Sequence, residues 1–299
     1  MDHFPTPDYA HKLFSNSHPE KVWGRTEDII QRINPAYDFS SIQTVFHDVV
    51  HLFHGEYPGY CSIKTLYHDL RHTMDVFLCA IRLMHGVHLS GNKLADKELT
   101  LVMIAALMHD IGYAQRRGEE TGTGAQFTMN HVERGIGFLR TYLPERRFPP
   151  DFITFLEPMM LSTSPALPFS GISFPDARCR LLAQIVGTAD MVGQMADRAY
   201  LEKLLFLCLE FKEAKFGHYQ NLHSMLCQTK SFYETTRKRK LEEAYESIYT
   251  KLSLHFNDYL GVENNFYLES IEKNIAYLEK IILLDETEYL SMLKRSCIQ

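Results

Sequence analysis

His68, Asp69, His72 and Asp75 crowd into YHDLRHTMDV, residues 67–76, at the start of a run that is otherwise mostly apolar. Wound as a helix, His68 and His72 stand one turn apart on one face, roughly 5–6 Å between Cβ atoms. Asp75 borders that face and Asp69 points elsewhere. Two imidazoles at this spacing can hold one ion between them, or one can hold an ion while the other moves a proton. The same spacing also suits a solvated helix face rich in histidine.

Three further segments carry polar groups where a core is expected. KELTLVMIAALMHDIGYA is apolar from Leu99 to Met108 except at Thr100, and His109–Asp110 then interrupts it just before Gly112. Burying an imidazole and a carboxylate at the end of a core helix is costly unless they pair or hold a cation. In LLAQIVGTADMVGQMADR, Asp190 falls one turn beyond Val186, among Ala189, Met191 and Val192. His131, in FTMNHVERGIGFLR, enters a helix behind a glycine-rich loop, a place that also suits a capping or surface histidine. The order H…HD…D on separate helices, with His68 beside it, suits a divalent ion with positions left open for water.

These residues must be positioned by helices. Period-3.6 patterning dominates and alternating strands are absent, so the expected fold is all-α. Helices are expected near 25–33, 41–55, 62–86, 97–113, 126–143 and 150–162. Two more should meet near Ala196–Arg198 within 176–215, followed by a long one at 223–259 and a last at 265–283. Breaks fall at NPAY, GEYPGY, SGNK, GEETGTG, PERRFPPD and the proline-containing stretch after Leu161. The reading divides the chain into an N-terminal arm (1–20), a catalytic unit (21–215) and a C-terminal helical extension (216–299). The extension offers a surface for packing or homodimerisation.

Composition narrows the functional classes. The chain has 299 residues, 45% of them hydrophobic, which is ample for a packed core, and its net charge of −6 gives no global field for nucleic acid. Six scattered cysteines form no CxxC pair, so neither a disulfide framework nor a cysteine zinc site is expected. No apolar run reaches the ~18 residues of a membrane span, and MDHFPTPDYAHKLF lacks the basic and apolar regions of a secretory signal. A soluble, cytoplasmic protein is expected, without nucleic-acid or membrane partners.

His72, His109–Asp110 and Asp190 resemble the ligand signature of the HD superfamily of metal-dependent phosphohydrolases, over about residues 60–210. YHDLRHTMDV is also similar to the YHN-x-x-H-x-x-DV signature of class I cyclic nucleotide phosphodiesterases. Asp69 replaces the asparagine of that signature, and Tyr113 stands where those enzymes carry the second histidine of HDxxH. The resemblance implies an HD-type helical bundle. It assigns His68 as general acid and His72, His109, Asp110 and Asp190 as ligands of a first ion. His131 resembles the helix histidine that two-metal HD hydrolases use for a second.

The expected cofactor is therefore one or two divalent ions (Mg/Mn, Zn or Fe), with a metal-activated water attacking phosphorus in a (cyclic) nucleotide phosphoester. His68 would protonate the leaving oxygen, its acidity set by the cation and by Asp69 or Asp75. Gln194, one turn after Asp190, can offer a donor and an acceptor to a base edge, or serve as a helix-end polar residue. Arg116 and Arg117 could meet phosphate, and the loop Gly118 to Gly124 could close over the site. Alternatives are a nucleoside mono- or triphosphate phosphohydrolase, an HD-fold di-iron oxygenase and a non-catalytic nucleotide sensor.

Overall fold

In the computed structural model the described residues are 18–217 and 221–293, and the fold is all-α. Most of the expected N-terminal arm, and Cys297, lie outside the described residues. Among the described residues twelve α-helices follow one another: α1 Pro19–Ile33, α2 Ser40–His54, α3 Leu70–Leu89, α4 Asp96–Met108, α5 His131–Glu145, α6 Phe152–Leu161, α7 Ala177–Met195, α8 Tyr200–Glu213, α9 Leu222–Thr236, α10 Leu252–Leu260, α11 Phe266–Ile281 and α12 Glu286–Met292. None of the described helices is long and apolar enough to cross a membrane.

α3 is the axis of the molecule. Every residue from His72 to Val87 is buried, because α1, α4, α7 and α10 pack around it. α4, buried from Leu99 to Met108, lies beside it. Burial of each such Leu, Ile or Val contributes ~1.5–3 kcal/mol relative to exposure, so the strongest apolar segments occupy the centre. The extension is not set apart. α10 packs against α3, and α11 packs against α7.

Two expected helices are corrected. The helix placed at 62–86 begins only at Leu70, because the Asp69 carboxylate accepts from the His72 backbone N–H at 2.8 Å and caps it. His68 therefore precedes the helix, held by Thr65 Oγ1 donating to its carbonyl at 2.7 Å. It does not share a helical face with His72.

The helix expected at 223–259 is interrupted. α9 runs into a π-helical segment, Arg237–Ala244, whose wide turns close with Tyr245 N–H donating to Lys240 C=O at 2.8 Å. Glu246 and Ser247 then take left-handed φ of 52° and 56°. Tertiary packing explains the break. Tyr245 drives its ring against Gly187, where a Cβ would lie 2.6 Å from the phenol oxygen, and its O–H donates to Ser162 C=O at 2.8 Å.

A histidine pair ties α10 to α3. His85 and His255, 1% and 0% exposed, meet Nδ1 to Nδ1 at 2.9 Å, so one shared proton serves both rings. Burial, with the nearby Arg82 and Arg32 cations, holds His255 well below its ordinary value. Burial also lowers His85, against the opposing pull of Asp258. The folded pair stays neutral where an unfolded histidine, with its pKa of ~6.5, takes up protons. Stability contributed by the pair is thus present above about pH 6.5 and declines as pH falls toward the depressed folded values. Melting temperature followed from about pH 7.5 to about 5 should fall less steeply in His85→Gln/His255→Phe than in the parent chain. Equal slopes would remove the pair as the acid-sensitive element.

Candidate metal centre and cavity

The end of α4 carries the chemistry. His109 occupies the C-cap and Asp110 the turn beyond it, before a 3₁₀ turn at Ile111–Tyr113. Unpaired carbonyls and the negative end of the helix dipole collect there, which favours a cation. Gly112 makes the geometry attainable: a Cβ would lie 1.7 Å from the His131 carbonyl, so only glycine lets the first turn of α5 approach. α3 supplies His72 and α7 supplies Asp190.

These side chains converge. His72 Nε2 and His109 Nε2 lie 3.3 Å apart. Asp110 Oδ2 sits 3.2 Å from the first and 3.1 Å from the second. Asp190 Oδ1 is 3.6 Å and 3.8 Å from the same two nitrogens. On the other side of the Asp110 carboxylate, Oδ1 faces His131 Nε2 at 3.4 Å. His72, His109 and Asp110 form a buried group whose ligand atoms all lie within 4.8 Å of one another, and which could hold a metal ion.

The donor chemistry fits such an ion. His109 Nδ1–H donates to Ala106 C=O at 2.9 Å, and His131 Nδ1–H donates to Thr128 C=O at 2.7 Å. Each bond fixes the tautomer that leaves an Nε2 lone pair toward the centre. Asp110 Oδ2 is buried with no hydrogen-bond partner, an expensive state that a cation relieves. The electrostatics agree. Burial opposes protonation of His109, yet Asp110 and Asp190 outweigh it and lift this imidazole to about 9. Burial opposes charge on Asp110 as well, and His109 more than offsets it, holding the carboxyl well below its usual range. His131 goes the other way, pushed down chiefly by burial.

His68 reaches this centre from its loop. Its ring centroid is 5.7 Å from that of His72, and its Nδ1–H donates to Glu210 Oε2 at 2.6 Å. The other oxygen of Glu210 accepts from the Tyr67 backbone N–H at 2.6 Å, so the carboxylate is fixed at both ends. Burial disfavours the imidazolium, but Glu210 and Asp110 prevail and raise His68. The partner that tunes His68 is therefore Glu210, not Asp69 or Asp75: Asp69 caps α3, and Asp75 is buried within it. Tyr113 stacks on His68 (4.6 Å, 21°) and on His131 (4.6 Å, 11°), whose own ring centroids lie 6.4 Å apart.

The centre opens into a cavity of about 390 Å³, lined by the polar side chains of His68, Asp110, Tyr113, His131 and Asp190 and by the apolar ones of Leu204, Leu207, Phe211, Phe216 and Met225. That volume falls within the ~300–1,000 Å³ of small-molecule pockets. Gln194 is on its wall, with Oε1 accepting from Tyr67 O–H at 2.5 Å, so its amide NH₂ is the group left for a ligand. Arg116, Arg117 and the loop from Gly118 to Gly124 do not line it. The loop is instead pinned to α8 through Thr123, whose N–H and hydroxyl each donate to Glu213 at 2.9 Å. Lys240, from the π-helical segment, does line the cavity. Burial pushes its ammonium down from the ordinary value, against the pull of Asp190.

Lys240 carries no local signal of its position in the sequence, and Tyr113 is marked only by standing where the resemblance puts a second histidine. The only hint for Glu210 is a carboxylate in an apolar helix, LLFLCLEFKE. Compared with known proteins, the chain matches no family model and no curated protein.

Proposed function

We propose that the chain is a metal-dependent phosphohydrolase of the HD type, with a phosphodiesterase acting on a nucleotide-sized ester as the leading reading. One observation carries it. Two buried imidazole lone pairs and an orphaned carboxylate oxygen converge within hydrogen-bond range, beside a protonatable histidine, at a ligand-sized cavity. In this reading His72, His109, Asp110 and Asp190 hold a first divalent ion, and Asp110 and His131 hold a second. A divalent ion bound there lowers the pKa of a bound water toward about 7 and polarises a phosphoryl oxygen.

The chain's own residues do the rest. Asp110 turns one oxygen to each group of imidazoles. Ala106 and Thr128 hold the histidine tautomers. His68, protonated through Glu210, gives its Nε2 proton to the leaving oxygen. The apolar lining of the cavity excludes water from the ester.

Protein purified without chelator should carry divalent metal and hydrolyse phosphoesters, with activity lost on chelation and restored by Mn²⁺. Metal bound without hydrolysis of any mono- or diester in a broad panel, or iron with oxygen consumption, would sink the reading.

Glu210→Gln tests the acid. Without the carboxylate the His68 imidazolium loses its main support and its pKa falls. The alkaline limb of the pH–rate profile, where the acid deprotonates, should therefore move to lower pH while metal content is retained. An unmoved limb would dissociate Glu210 from the proton donor.

A further inference from the structure

The cavity has a mixed lining. Residues of the metal centre face it, and the others are apolar apart from a few hydroxyls and amides and one lysine. Lys240 is the one lysine or arginine among its described lining residues. Other cations near the site, Lys203 buried and Arg71 and Arg134 partly so, are paired: Lys203 and Arg71 each meet Asp197 at 2.9 Å, and Arg134 donates to the Gly112 and Ala114 carbonyls. Lys240 makes no hydrogen bond or ion pair through its ammonium among the described residues. Holding an ammonium in a largely apolar cavity without a partner is costly, and an anionic ligand removes that cost.

Its backbone setting is also unusual. π-helical turns are rare and concentrate at functional sites, and Lys240 C=O accepts the i+5 hydrogen bond at 2.8 Å from Tyr245 N–H that closes this one. The same segment buries Leu241 in the core, which anchors it beneath the lysine.

We propose that Lys240 binds the anionic group of the ligand, and that this ligand is a phosphoester whose remaining body is apolar or aromatic, lying along Leu204, Leu207, Phe211 and Met225. That the ligand is an ester rests on the phosphohydrolase reading. The anion site itself stands on the unpaired lysine and the cavity. Lys240 supplies positive charge to the cavity, so it distinguishes a phosphorylated ligand from a neutral one of the same shape.

Equilibrium binding of inorganic phosphate and of phenyl phosphate to the Mn²⁺-loaded full chain tests this. A charged hydrogen bond contributes ~1.5–3 kcal/mol, so Lys240→Gln should weaken both ligands by roughly 10- to 100-fold. Lys240→Arg should restore most of the affinity, metal content should stay at the parental value in both variants, and Lys240→Gln, relieved of an unpartnered ammonium, should melt no lower than the parent in the absence of phosphate. Phenyl phosphate should bind the parent chain more tightly than phosphate does, through the apolar wall. Undiminished phosphate binding by a folded, metal-loaded Lys240→Gln would overturn the lysine's role, even if ester hydrolysis continued. Equal affinity for the two ligands would overturn the apolar assignment. Lys240-dependent binding in a chain that hydrolyses no ester would instead overturn the hydrolase reading and keep the anion site.

Discussion

Asp110→Ala is expected to leave the purified chain without stoichiometric metal and to lower phosphoester hydrolysis on the order of 10³-fold or more. Loss of Lewis-acid and nucleophile chemistry removes several kcal/mol of transition-state stabilisation, at about 1.4 kcal/mol per tenfold. The expectation follows from the placement of both carboxylate oxygens. Oδ2 lies within 3.2 Å of two imidazole nitrogens, and Oδ1 lies 3.4 Å from a third. Asp190, 3.6 Å from His72 Nε2, cannot serve both sides. Asp110→Asn keeps the shape and removes the charge, so it separates a ligand role from a packing role. Metal analysis, melting temperature and rate are measured on both variants. Full metal occupancy in either folded variant would show that the ion sits elsewhere or that Asp110 does not hold it.

His68→Ala is expected to keep its metal and lose roughly 10²–10⁴-fold in rate, the span for a positioned proton donor. The loss should shrink for esters with good leaving groups such as nitrophenolate, which depart without a proton. His68 is set apart from the ligands by its own partner: its Nδ1–H is committed to Glu210 at 2.6 Å, which leaves Nε2 for the leaving oxygen. Were it a ligand, metal would fall with activity and the deficit would be equal for every leaving group. Were it only a packing residue against Tyr113, melting temperature would drop with little change in rate per folded molecule. Rates on two leaving groups, with metal content and melting temperature, separate the three outcomes.

The sequence discloses the parts of this arrangement that are written locally. α4 is legible because its apolar run has no competing pattern, and the interruption at His109–Asp110 marks where a cost is incurred. His72 and Asp190 are legible as polar groups inside apolar helices, His131 only through the resemblance to two-metal HD hydrolases, and the structure brings them to one place. What is illegible is set by distance along the chain. Glu210 meets His68 across 142 residues, and no periodicity encodes that meeting. The start of α3 is misread because Asp69 looks like a chemical neighbour of His68, whereas its carboxylate accepts the His72 N–H as a cap. The break after Ala244 has no glycine or proline to announce it. It exists because Tyr245 finds a slot over Gly187, a tertiary gain that overrides good helix formers.

In the proposed two-ion reading, one carboxylate placed between His72–His109 and His131 would link the two ion positions thermodynamically. Whatever the first ion does to the charge and orientation of Asp110 is felt by the second, and the second changes the affinity of the first by the same factor. Occupancy is then a property of the pair rather than of either position. Free-ion concentration selects among the empty, singly filled and doubly filled states along a curve that no single dissociation constant describes. Under that reading, a modest change in available metal would act as a graded control on how much of the protein is fully loaded.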